Sequence, residues 1–196
     1  SLGNIHYAKK IIAAEDLRFG SVHDASGDLD RLWQENFHDE LRYATNIHVV
    51  DRWVFSQRLP VDRRGLTRFI ALAKRDAPER QSKILHVYAE SEGNDGAERE
   101  QHNIQACNIV RNQLEQIQAK PHPFREINLY MIPTRFFSRV LGGRHIRFHD
   151  IFAATPDHGM ELFELSRTVY LNFNRDLERF PPTERRLQEN SWLFRL

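Results

Sequence analysis

Three short runs rich in β-branched and aromatic residues alternate with two stretches of helical periodicity, and that order leaves few folds open. The runs cover residues 46–55 (with Ile47, Val49, Val50, Trp53, Val54 and Phe55), 83–89 (Lys-Ile-Leu-His-Val-Tyr-Ala) and 126–132. Between them, Leu66, Phe69, Ile70, Leu72 and Ala73 mark a helix that stops before Pro78. Ile104, Cys107, Val110, Leu114 and Ile117 mark a longer one over residues 98 to about 118. Strand, helix, strand, helix, strand implies parallel strands joined by crossovers. A near-continuous apolar run such as 46–55 suits a sheet covered on both faces.

Upstream, residues 5–12 read as a short edge strand and 15–27 as a polar loop with a turn at 18–21. Asp28 is a plausible N-cap for a helix reaching about Leu41, with Leu29, Leu32, Trp33, Phe37 and Leu41 on its apolar face. Downstream, Gly142 and Gly143 lead into a hairpin of two strands, 144–148 and 151–154. Alternation sends Arg144, Ile146 and Phe148 one way and His145 and Arg147 the other. A turn at 157–159, a short amphipathic segment at 160–165 and a last strand at 168–173 follow. The expectation is one α/β domain over residues 1–175, a mixed sheet flanked by helices with antiparallel additions. A charged extension, 176–196, follows it and ends in hydrophobic residues.

Lys plus Arg number 28 against 27 Asp plus Glu, so no global field argues for wholesale nucleic-acid binding and local patches must carry any such claim. The single Cys107 rules out an internal disulfide, which suits a reducing, cytoplasmic setting. No apolar run approaches the roughly 20 residues a membrane span needs. Ser1-Leu2-Gly3 reads as a cut point or cloning remnant, as for a domain excised from a longer protein.

The densest group of possible phosphate contacts is the hairpin. Arg135, Arg139, Arg144 and Arg147 have few acids among them, and a guanidinium fork suits phosphate oxygens. Phe136 and Phe137 beside them are core residues, or else stack on bases or insert in a membrane. Phosphodiester chemistry would need a His nucleophile, a cation on the phosphoryl oxygens and a second His as acid. His145-x-Arg147 imitates the first two, with a homodimer supplying the second copy. His145, His149, Asp150 and His158 lie close in sequence but match no zinc spacing, so no metal is expected. Without a Gly-x-Gly-x-x-Gly or P-loop, no nucleotide cofactor is indicated either.

Taken in order, several segments resemble one family, the C-terminal domain of the MIT-domain-containing protein that works with ESCRT-III at the midbody, with its prokaryotic relatives. Residues 7–16 and Phe19-Gly20-Ser21 resemble its opening strand and turn, and Leu32-Trp33-Gln34-Glu35-Asn36-Phe37 its first helix. Residues 47–53 keep the Asp (Asp51) and an aromatic of its Asp-Pro-Tyr strand end. Lys83-Ile84-Leu85-His86 resembles its Lys-x-Ile-His strand, 142–147 its His-Asp-Arg-x-Ile-Arg hairpin, and Gly159-Met160-Glu161-Leu162-Phe163 its closing motif. The family's His-Asp pair is replaced by Gly142 and Gly143, and His145 is displaced along the strand.

The resemblance implies a phospholipase D-like fold and a catalytically silent module that dimerises and binds acidic phospholipid. The expected function is therefore a cytoplasmic pseudoenzyme, free or peripheral to a membrane, and prokaryotic in kind. It would grip an acidic phospholipid or a nucleic-acid backbone through Arg144 and Arg147, helped by Arg135 and Arg139. A place in a larger protein or a phage-defence system is analogy only. The alternatives are a phosphodiesterase or nuclease using His145 and Arg147 in a dimeric site, and a protein-interaction module using Trp192, Leu193 and Phe194.

Overall fold

The computed structural model describes residues 21–24, 29–56, 65–76, 83–116, 123–137, 144–149, 152–157, 159–163, 168–174 and 177–196. The expected strand at 5–12, the Asp28 cap, Arg139, Asp150 and His158 lie outside them. The strands are β1 (Ser21–Asp24), β2 (Asn46–Asp51), β3 (Lys83–Ser91), β4 (Phe124–Pro133), β5 (Arg144–Phe148), β6 (Phe152–Pro156), β7 (Thr168–Asn174) and β8 (Trp192–Arg195). The helices are α1 (Leu29–Asn36), α2 (His38–Tyr43), α3 (Gly65–Asp76), α4 (Gly96–Gln116), α5 (Thr134–Phe137) and α6 (Phe180–Glu189), with a 3-10 turn at Gly159–Phe163.

One mixed sheet of order β1-β7-β6-β5-β2-β3-β4-β8 holds the eight strands found among the described residues. β2, β3 and β4 run parallel and the other pairings are antiparallel. The two crossovers, through α3 and α4, advance in the same direction across the sheet, so their common handedness puts both helices on one face. There the main core forms. Ile47, Val49, Leu85, Val87, Leu129, Ile146 and Phe148 from the strands meet Trp33, Phe37, Leu66, Phe69 and Val110 from the helices. Trp33, Phe37, Phe69 and Phe163 pack with ring centroids 5.4–6.3 Å apart. The opposite face is smaller and more polar, with Val50, Tyr88, Tyr130 and Ile132 packed under Leu187 of α6 and Phe137 of α5.

Several boundaries differ from the sequence expectation. The first helix breaks at Phe37 into α1 and α2, although the residues of its predicted apolar face still pack on the core. β2 ends at Asp51, because the Asp51 carboxylate accepts the Trp53 amide at 3.0 Å and turns the chain. Ser21–Asp24, expected within a loop, pairs with β7. Ile104 is 51% exposed, since the buried stripe of α4 runs through Asn103, Ala106, Cys107 and Val110. Residues 176–196, expected as an extension, supply α6 and the edge strand β8 to the same sheet.

Gly65 opens α3 against the 3-10 turn, and a methyl group there would overlap the Met160 carbonyl. Neither partner is a flexible side chain, so Gly65→Ala should lower stability by about 2–3 kcal/mol. Gly96→Ala is the control, because nothing lies within 4 Å of that position. It should be neutral or stabilising by up to about 1 kcal/mol. Urea denaturation of the two variants checks the contrast, and equal midpoints would refute it.

Candidate functional site

The parallel strands end together, and in open α/β sheets the space beyond their carboxyl ends is where ligands are held. Asp51, Ser91 and Pro133 are the last residues of β2, β3 and β4. Arg144 starts the antiparallel β5 and pairs in register with Asp51, so it belongs to the same edge.

At the Asp51 end, three distant segments converge. Asp51 accepts the Met160 amide at 2.6 Å, and its other oxygen lies 3.8 Å from Nε of Arg144. Arg144 also donates to the Asp157 carbonyl at 3.0 Å. A methyl at Gly159, where φ is +63°, would overlap the Asp51 carboxylate. Burial pushes the Asp51 carboxyl up, against those amide bonds and the arginine. Asp51, Arg144 and Gly159 thus meet from three segments far apart in the sequence. Next along the edge Arg52 forks onto the buried Glu90, with Nη2 donating to Oε1 at 3.1 Å, and lies 4.3 Å over the Trp53 ring.

At the β3–β4 end lies a groove of about 890 Å³, within the range of small-molecule sites. Ser91 and Asn103 form its floor, Arg99 and Arg135 bring cations to it, and Trp192 and Phe194 of β8 form an aromatic wall. β8 pairs antiparallel with β4 in the register Met131↔Trp192 and Leu129↔Phe194, which turns both rings to the α4 side. Trp192 is 47% exposed. Arg99 Nε donates to the Asp95 carbonyl at 2.9 Å, and Arg135 lies 4.8 Å over the Phe136 ring. Glu100 is the one acid that borders the groove among the described residues.

A second cluster sits in mid-sheet beneath α6. The register Arg147↔His48↔His86↔Asn128 lines four polar side chains across β5, β2, β3 and β4 on one face, with His145, Val50, Tyr88 and Tyr130 in the next row. Phe180, Glu184 and Leu187 are the buried residues of α6 at helical spacing, so Glu184 points into these rows. Its Oε1 accepts His145 Nε2 at 2.9 Å and Arg147 Nε at 2.8 Å, and its Oε2 accepts Arg147 Nη2 at 2.5 Å and faces His48 Nδ1 at 3.1 Å. The His48 and His86 rings stack at 4.4 Å, and Tyr88 and Tyr130 at 4.6 Å.

Burial alone would raise the Glu184 carboxyl, but its bonds to Arg147 and His145 reverse the sign and bring it to about 2. Burial pushes His48 down to about 3, against the pull of Glu184, and lowers His86 and His145 as well. The cluster thus holds one anion, one cation and neutral imidazoles.

The residues singled out from sequence are therefore distributed. Arg135 lines the groove, together with Trp192 and Phe194, which had been assigned to a separate partner surface. Arg144 is tied to the Asp51 corner. Arg147 is 5% exposed and committed to Glu184, on the opposite face of β5 from Arg144. His145 is 2% exposed against the same carboxylate. Phe137 is core and Phe136 packs beside it. Glu184, His48 and Asn103 were not anticipated. Among the described residues no group of three His, Cys, Asp or Glu side chains could hold a metal ion, and no helix is long and apolar enough to cross a membrane. No protein-family model matches the chain, and no curated protein matches it.

Proposed function

We propose that the chain is a non-catalytic binding and dimerisation module of phospholipase D-like kind, which holds a phosphate-bearing anion in the groove at the carboxyl ends of β3 and β4. The observation that carries this reading is the meeting of Arg135, Arg99 and the exposed Trp192 around one groove. The residues a hydrolytic reading needs, His145 and Arg147, are meanwhile closed off by Glu184. A His145 nucleophile would have to shed a carboxylate and a covering helix before it met a substrate. The convergence of Asp51, Arg144 and Gly159 supports the phospholipase D-like lineage. Dimerisation is proposed through β8, an edge strand with Trp192 and Leu193 exposed at 47% and 42%, because such an edge offers unpaired backbone groups to a second copy.

The test is equilibrium binding of a fluorescent oligonucleotide and of phosphatidylserine vesicles between 50 and 200 mM salt. Two phosphate contacts give a log–log salt slope of about −1.4 for a single strand, and Arg135→Ala should reduce its magnitude by about 0.7. Absence of binding to both probes, or binding indifferent to salt, refutes the reading. Cleavage of the oligonucleotide that disappears in His145→Ala would replace it with the nuclease alternative.

A further inference from the structure

We infer that the groove is built for a nucleotide unit, a phosphate together with an unpaired base, rather than for a bare phosphate or a lipid headgroup. The inference rests on the anion-binding reading above and narrows it. Its starting point is Asn103, which lies on the groove and is only 5% exposed. The Ser91 hydroxyl donates to Asn103 Oδ1 at 2.7 Å. That distance suits an O–H···O bond better than an N–H···O bond, and so assigns the amide with its oxygen toward the serine. The amide's N–H pair then has no acceptor among the described residues. That donor pair opens on the groove, where a ligand acceptor can take the place of water as its partner.

The other walls define what carries that acceptor. The guanidiniums of Arg99 and Arg135 suit a phosphate. Trp192 adds an exposed indole on a strand held in register with β4, and Phe194 continues the same wall. A base stacked on an aromatic ring, with its phosphate on flanking cations, is the arrangement used for single strands. The carbonyl or ring nitrogen of an unpaired base also gives the Asn103 amide its acceptor. Inorganic phosphate leaves the indole without a role. A bilayer needs apolar groups on a protruding surface, whereas these rings line a concavity.

The experiment uses the full chain with a fluorescein-labelled ten-residue oligothymidylate, its duplex with oligoadenylate, thymidine 5′-monophosphate, inorganic phosphate and phosphatidylserine vesicles. The single strand is expected to bind at least tenfold more tightly than the duplex and to quench tryptophan emission. Trp192→Ala, at an exposed position, should weaken it about tenfold and abolish the quenching. Asn103→Asp, which keeps the acceptor for Ser91 and replaces the donor with an anion, should weaken it at least as much. Circular dichroism confirms that both variants are folded. Binding of the monophosphate as tight as that of the strand would identify a free nucleotide as the ligand and uphold the inference. Three results overturn it while leaving the anion-binding reading standing. These are oligonucleotide binding lost in Arg135→Ala but unchanged in both other variants, equal affinity for the duplex, and binding confined to vesicles or to inorganic phosphate. Binding of none of the probes ends both.

Discussion

Glu184→Ala is expected to lower folding stability by about 3–5 kcal/mol, the usual cost of removing one partner of a buried ion pair. Arg147 is 5% exposed and depends on this carboxylate for a bidentate contact, and His145 and His48 turn to it as well. Alanine removes the Glu184 charge from a guanidinium that also donates to the His149 carbonyl at 2.7 Å. A urea titration at pH 7 should show a lower midpoint with an unchanged m-value. The double variant Glu184→Met, Arg147→Met is the informative companion. Replacing both members of a buried pair by apolar groups is often near neutral, so it should recover most of the loss. A single-variant loss below about 1 kcal/mol would mean that the carboxylate does not fasten α6 to the sheet.

The second large effect is acid lability. His48 has a folded-state pKa of about 3 against an ordinary 6.5, and His86 and His145 are displaced downward too, chiefly by burial. As pH falls below 6.5 the unfolded chain takes up protons that these native imidazoles refuse. Each refusal contributes a limiting slope of about 1.4 kcal/mol per pH unit; His48 sustains it down to about pH 3, and His86 and His145 add to it just below 6.5. Glu184 adds to this lower down. Its folded-state value of about 2 against 4.5 means a contribution present above 4.5 and lost as pH falls toward 2. Stability should therefore be level near pH 7 and fall as pH drops from 6.5 toward 4. Denaturation curves at half-unit steps measure the slope, and His48→Gln should flatten it by about 1.4 kcal/mol per pH unit. A flat profile from pH 7 to 5 would show that the imidazoles titrate freely.

The parallel β2–β3–β4 unit and its crossovers were legible because Ile47, Val49, Leu85, Val87 and Leu129 concentrate apolar bulk in short runs. The alternation of the 144–148 strand was also legible, because a two-residue period permits only one division of its side chains. The start of α4 had a readable signal that residues 98–118 overlooked. Asp95 accepts the Glu98 amide at 2.8 Å, as an N-cap does, and Glu98 accepts the Asn94 amide one residue earlier at 2.7 Å, a close variant of the cap that Asp-x-x-Glu encodes. For α6, Pro181 and Pro182 preset the first turn. Phe180 and Leu187 lie on the inner face of this helix, which the reading of 176–196 as a charged extension did not contain. Nothing local distinguished Glu184 from the solvated acids around it, because its partners lie 37 and 39 residues away. The groove was illegible for the same reason, being assembled by the pairing of β8 with β4.

α6 and β8 follow one another across Asn190 and Ser191, so the carboxylate that fastens the helix and the indole that walls the groove ride on a single ribbon. Undoing the fastening slackens the ribbon and tugs on the wall. Damage at Glu184 should thus be felt as poorer ligand grip on the far side of the sheet, making the C-terminal stretch a hasp whose bolt and faceplate move together.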